Sequence, residues 1–276
     1  MNQAELVHQI FSKQSFLIVG LDISANSLPE TLKDKPNAIV DFAKAIVAAT
    51  EPFAVGYKIN TAFFEARGSA GWTELEEIVS FLRASYGNSL FLIADAKRGD
   101  IGNTSNEYAK AFLDVMDFDD ITVAPYMGSD SLKPFLQYSN KWVISLGLTS
   151  NQGANDFQLQ ELANGKLVFE EVIETTATWG TPENLMFVVG ATRQENIALA
   201  RKAAPNHFFL VPGIGAQGGS LEEVWKYAST NKVGLLVNAS RSIIYASYSA
   251  DFESAASKEA QKLQLEMAGY LQTLKA

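Results

Sequence analysis

At 276 residues, with 47% hydrophobic and 19% charged residues, the chain is long enough for a large core and is neither a stapled miniprotein nor a disordered or collagen-like polymer. It has no cysteine and only two histidines, His8 and His207. That excludes a thiol nucleophile, a disulfide framework and the common zinc sites, so any chemistry falls to carboxylates and lysines. A net charge of −9 disfavours nucleic acid and anionic lipid as partners, and an anionic substrate would need a local positive pocket.

Residues 1–11 carry no basic segment followed by an apolar one, and no apolar run reaches the roughly 18 residues a bilayer span needs. A cytoplasmic protein with no membrane partner is expected. In chain order the pattern predicts strand 16–22, helix 38–50, strand 53–58, helix 72–86, strand 90–97, helix 103–116, strand 120–124 and helix 131–138. It continues with strand 142–148, helix 166–179, strand 185–190, helix 193–203, strand 207–212, helix 220–230, strand 234–238 and a C-terminal helix 253–274. The strands are mostly continuous apolar runs rather than alternating ones, as in a sheet covered on both faces. Regular strand–helix alternation implies parallel strands joined by right-handed crossovers. Eight strands, and no G-x-G-x-x-G after the first, favour a closed (β/α)8 barrel over an open doubly wound sheet. No linker or low-complexity tract interrupts the chain, so one domain over 1–276 is expected. The polar stretch 151–165 after the fifth strand reads either as a solvated loop or as a lid.

In a parallel barrel the strand C-termini share one rim, where reactive side chains collect. Asp22 ends the first apolar run, Lys58 the second, and Asp95-Ala96-Lys97-Arg98-Gly99-Asp100 the third. Asp95 and Lys97 are two apart, so in an extended strand they leave the same face. Neighbouring strands lie about 4.8 Å apart, which brings Lys58 near this pair and Asp22 one strand further on. Any one of these charges alone would read as a structural ion pair; alternation at successive strand ends points to a site. After the seventh strand, Pro212–Gly219 places Gly213, Gly215, Gly218 and Gly219 before a helix, where backbone N–H groups can converge on an anion. Arg241, after the eighth strand, offers a guanidinium for bidentate phosphate contact.

The run Asp95-Ala96-Lys97-Arg98-Gly99-Asp100-Ile101-Gly102-Asn103-Thr104 resembles the D-x-K-x-x-D-I-x-x-T signature of the orotidine 5′-phosphate decarboxylase family. In its long form it is similar to that family's second, mycobacterial-type subgroup. Supporting segments span most of the chain: 20–22, 58–60, 62–65, 124–128, 149–151, 189–192, 212–219 and 238–241. Ile23 and Gln152 depart from the pattern, standing where proline is common. The resemblance implies decarboxylation of orotidine 5′-phosphate to uridine 5′-phosphate with neither metal nor organic cofactor. Lys58, Asp95, Lys97 and Asp100 would form an alternating charged tetrad, with Lys97 as proton donor. Asp100 and Thr104 would come from the other subunit of a homodimer whose active sites are shared. Asp22 would hold the ribose hydroxyls, Ser150 the pyrimidine edge and Arg241 the phosphate, while Gln217 would bridge base and phosphate. Three other readings remain: a Mg²⁺-dependent phosphosugar decarboxylase or synthase on the same barrel, a Schiff-base aldolase using Lys58 or Lys97, and a non-catalytic phosphate-ligand sensor.

Overall fold

Eight short runs of apolar residues form parallel strands: β1 Leu17–Gly20, β2 Gly56–Asn60, β3 Phe91–Arg98, β4 Asp120–Val123, β5 Trp142–Leu148, β6 Leu185–Val189, β7 Phe208–Pro212 and β8 Leu235–Ala239. In the computed structural model, which describes residues 1–190, 194–214 and 219–274, they close in sequence order, with β1 paired to both β2 and β8. This is the (β/α)8 barrel. Most strand residues are fully buried, because one face fills the barrel and the other receives the helices, which is why the strands read as continuous apolar runs.

Among the described residues, helices α1 Gln3–Lys13, α2 Ala38–Thr50, α3 Ala62–Glu65, α4 Gly68–Tyr86, α5 Gly102–Ala109, α6 Ser129–Leu136, α7 Val168–Ala177, α8 Gln194–Ala203, α9 Leu221–Ala228, α10 Arg241–Ile244 and α11 Phe252–Gln272 accompany the strands. Helix α2 shows the sequence logic: Ile39, Phe42, Ala43, Ile46, Val47 and Thr50 fall at helical spacing and are buried. The buried residues of strands and helices form one continuous cluster. Residues 191–193, 215–218 and 275–276 lie outside the description, and with them Ala191 and Thr192, the start of the 193–203 helix, Gly215 and Gln217 of the glycine-rich segment, and Gly218.

Three differences from the sequence reading have physical causes. Helix α1 was not expected, yet Asn2 accepts from the Glu5 N–H and Glu5 returns a bond to the Asn2 N–H, a capping box whose N-x-x-E spacing is legible in hindsight. The helix over 103–116 is broken in type: α5 passes at Lys110 into a π-helical turn, Lys110–Val115. The polar stretch 151–165 has structure of its own, a 3₁₀ turn at Gln152–Asp156 and a bridge between Glu161 and Leu167.

Candidate active site

The C-terminal strand ends open into a cavity of about 340 Å³. Asp22, Lys58, Asp95 and Lys97 reach it from the first three strands, Ser150 from the end of β5, and Gly213 and Arg241 from beyond β7 and β8. Leu146, Val188 and Leu210 give it an apolar wall. Seven of the residues singled out from sequence therefore share one cavity.

Their charges form a chain. Lys58 Nζ donates to Asp95 Oδ2 at 2.8 Å and lies 3.4 Å from Asp22 Oδ1, while Lys97 Nζ donates to Asp95 Oδ1 at 2.6 Å. The order Asp22, Lys58, Asp95, Lys97 thus alternates in sign. Burial pushes the Asp95 carboxyl up, but the Lys58 and Lys97 ammoniums outweigh burial and hold it down to about 2. Burial pulls the Lys58 ammonium down, and the charges of Asp95 and Asp22 reverse this, leaving its pKa raised. Lys58 and Asp95 are buried and committed to each other, whereas the Lys97 side chain is 52% exposed and faces the open cavity.

Lys97 does not reach Asp95 by simple strand alternation. Its φ is +45°, in the left-handed region that costs a residue with a Cβ roughly 1–3 kcal/mol. The cause is a bulge. Ala94 pairs with Ile121 and Arg98 with Val123, so Asp95, Ala96 and Lys97 of β3 face Thr122 alone on β4. The Lys97 N–H donates to Thr122 Oγ1 at 2.8 Å, and that hydroxyl donates to Asp95 Oδ1 at 3.1 Å.

Asp100 and Thr104 are not brought to this cavity. Asp100 lies past the end of β3, where its Oδ1 accepts from the Ile101 N–H at 2.8 Å, and Thr104 is exposed on the first turn of α5. Arg241 is exposed and, among the described residues, makes no ion pair, so its guanidinium is open to an anion. Gly213 has φ +87°, a conformation glycine adopts without strain, and turns the chain at the cavity edge. Gly190 permits a close approach: a Cβ there would stand 2.9 Å from the Ser150 N atom.

Several contributors were given no role from sequence. Thr122 is one; its signal is a polar residue inside an apolar run, in step with Asp120. Asn60, Asn238 and Ser240 also line the cavity. Ser240 donates to the Gly20 carbonyl and Asn238 to the Ile18 carbonyl, each at 3.0 Å, fastening the end of β8 to β1. Tyr245 accepts from the Ser24 N–H at 2.8 Å and so ties the segment after Asp22 to the segment after Arg241. These ties join residues more than 200 apart and leave no local mark in the sequence.

A profile of the "Orotidine 5′-phosphate decarboxylase / HUMPS family" matches residues 15–256. An orotidine 5′-phosphate decarboxylase from Phocaeicola vulgatus is 52% identical over 267 residues, covering 97% of this chain and 98% of the relative. One from Flavobacterium johnsoniae is 53% identical over 268 residues, with 97% of each chain covered. Among solved structures, Leishmania donovani OMP decarboxylase is similar with a TM-score of 0.79 and 34% identity, over 97% of this chain and 99% of its own.

Proposed function

The chain belongs to the orotidine 5′-phosphate decarboxylase / HUMPS family, and from that premise we propose that it converts orotidine 5′-phosphate to uridine 5′-phosphate and CO₂ in de novo pyrimidine synthesis. The observation that carries this reading is one cavity holding an alternating Asp22, Lys58, Asp95, Lys97 array together with an Arg241 that makes no ion pair among the described residues.

Breaking the C6–CO₂ bond leaves an electron pair in the plane of the pyrimidine ring, with no ring or cofactor orbital to delocalise it. The protein must therefore stabilise that charge in place. Lys97, exposed to the cavity, supplies the nearby positive charge and then transfers an Nζ proton to C6; the neutral amine recovers its proton from solvent. Asp95, ionised far below neutral pH, holds Lys97 on one oxygen and Lys58 on the other and repels the substrate carboxylate, which leaves as neutral CO₂. Lys58 in turn orients Asp22 toward the ribose hydroxyls. Ser150 meets the pyrimidine edge, while Arg241 and the Gly213 turn receive the phosphate, with Gly215 and Gln217 completing the contacts to phosphate and base. Phosphate binding far from C6 supplies energy for desolvating the reacting carbon. The raised Lys58 pKa weighs against an imine-forming aldolase, which needs a neutral amine.

The reading extends to assembly. Asp100 and Thr104 stand outside their own cavity, beside exposed Ile101, Tyr126 and Met127. Gly99 packs toward Ala124, so the segments bearing these groups are neighbours. This supports a homodimer in which each protomer lends Asp100 and Thr104 to its partner's cavity. The run from Asp95 to Thr104 supports the mycobacterial-type subgroup, and the single buried cluster supports one domain. No described helix is long and apolar enough to cross a membrane, which agrees with a cytoplasmic enzyme.

The test is loss of the orotate absorbance when EDTA-treated protein meets orotidine 5′-phosphate. Turnover at an undiminished rate is expected. Activity that depends strictly on added Mg²⁺ would overturn the metal-free reading, and no turnover at all would overturn the decarboxylase reading.

A further inference from the structure

We propose that Thr122 is a positioning residue for the decarboxylation: its single hydroxyl sets both the Asp95 carboxylate and the backbone conformation that aims Lys97 into the cavity. This rests on the roles given above to Asp95 and Lys97.

Thr122 is 1% exposed and stands alone on β4 opposite Asp95, Ala96 and Lys97 of the bulge. A bulge removes backbone groups from the ladder, and an N–H left buried without a partner is costly. For Lys97 that partner is the Thr122 hydroxyl, at 2.8 Å. A hydroxyl has one proton and accepts on its lone pairs. Because the Lys97 N–H donates, the Thr122 proton is free for Asp95, and the 3.1 Å contact to Oδ1 takes it. That oxygen is the one bound by the Lys97 ammonium, at 2.6 Å, while Oδ2 is taken by Lys58 at 2.8 Å.

The hydroxyl therefore closes a small ring: Lys97 backbone to Thr122, Thr122 to Asp95, and Asp95 to the Lys97 side chain. Both ends of Lys97 are fixed through one atom of Thr122. The left-handed φ of +45° at Lys97 persists only if its surroundings hold it. Without the hydroxyl, the Lys97 amide loses its partner and the backbone relaxes toward extended geometry, turning the side chain away from its present aim. Asp95 Oδ1 simultaneously loses a neutral donor and becomes freer to rotate. Misplacing a reacting group by about 1 Å costs roughly 100-fold in rate. The groups given to ribose and phosphate, Asp22, Gly213 and Arg241, make none of these contacts, so ligand binding should be spared.

The experiment compares Thr122→Val, which removes the hydroxyl at nearly constant shape, with Thr122→Ser, which retains it. For Thr122→Val, kcat should fall roughly 10- to 100-fold, the range for a hydrogen bond to a charged group, while the inhibition constant of uridine 5′-phosphate changes less than about threefold. Thr122→Ser should recover most of kcat. If Thr122→Val retains wild-type kcat, or if Ser is as slow as Val, the hydroxyl has no such role. Should the valine variant fail to fold, Thr122→Ser against Thr122→Ala isolates the same hydroxyl, and equal kcat in that pair overturns the proposal. A crystal structure of a hydroxyl-free variant gives a reading independent of turnover. Lys97 should leave its left-handed conformation, and finding its backbone and its contact with Asp95 unchanged would refute the proposal even if no variant, nor the parent, decarboxylates orotidine 5′-phosphate. Absence of turnover in the parent alone would refute the decarboxylase reading and leave this structural arm to decide.

Discussion

Two carboxylates within the barrel have opposite fates. Asp95 lies at the rim and Asp120 one layer below; Asp120 pairs with Ile93, two residues before Asp95 on β3, and by strand alternation points to the same side as Thr122. Both are buried. Burial pushes each upward, but at Asp95 the ammoniums of Lys58 and Lys97 reverse this and hold it down to about 2. At Asp120, burial outweighs the pull of the Ile121 and Ile144 N–H groups, which lie near without full hydrogen-bond geometry, and raises the carboxyl well above its ordinary range, with neighbouring Asp119 adding to the rise. Depth in the barrel does not decide ionisation; the partner set does. The rim is where charge has been provided with partners, and where one of them, Lys97, remains half-open to solvent.

The largest expected effect comes from breaking the rim at that open group. Lys97→Ala should lower kcat by about 10²–10⁴-fold, the usual contribution of a positioned proton donor, while uridine 5′-phosphate still binds. Wild-type turnover in that variant would remove Lys97 from its role. Arg241→Ala should cost about 1.5–3 kcal/mol in kcat/KM for orotidine 5′-phosphate and almost nothing in the slow turnover of orotidine, which lacks the phosphate. Equal losses on both substrates would point to misfolding or another contact.

A smaller effect tests whether the rim is completed in trans. Lys97→Ala and Asp100→Ala chains are each expected to be inactive, but a mixed dimer has one site lacking both groups and one with both intact. With random subunit exchange about half the dimers are mixed, so activity should return to roughly a quarter of wild type per chain. If exchange is demonstrated and activity stays at the level of the separate mutants, Asp100 works within its own chain.

What the sequence disclosed follows the same division. The eight strands were legible because both faces are buried, and Asp22, Lys58 and Asp95 were legible as charges ending apolar runs. Helix α2 was expected and found over the same residues, 38–50, since its apolar spacing is unbroken. The left-handed turn at Lys97 was hidden, because it falls on a residue whose type gives no warning of it and arises from three residues of β3 facing one of β4. Thr122 was passed over for the same reason: its partners are fixed by register between strands, which no local pattern encodes. Helix α1 carries two local marks, a capping box and the helical spacing of Leu6, Val7, Ile10 and Phe11, so it was legible although it lies ahead of the first strand and outside the strand–helix alternation.

The smallest effect separates the two carboxylates by pH. A raised folded-state pKa means that the unfolded chain releases the Asp120 proton at lower pH than the folded one does. Stability is therefore lost as pH rises from the unfolded carboxylate value, about 3.9, toward the folded value. Asp95 has the opposite sign: its contribution is complete above about 3.9 and is lost as pH falls toward 2. His207, whose imidazole is pulled down to about 4 by burial and by the Arg201 charge, loses stability as pH falls from about 6.5 to 4. Comparing Asp120→Asn with the parent at each pH cancels the Asp95 and His207 terms, which both proteins share. The amide cannot ionise and keeps an acceptor toward the Ile121 and Ile144 N–H groups. The variant should melt higher than the parent at pH 7–8, by about 2–4 °C for each kcal/mol relieved, and the gain should shrink to a small remainder near pH 4, where the folded carboxyl is neutral and the unfolded one only about half-ionised. A gain equally large at pH 4 would mean that the substitution acts through packing, and a lower melting temperature at pH 8 would mean that Asp120 is ionised and usefully paired in the folded barrel.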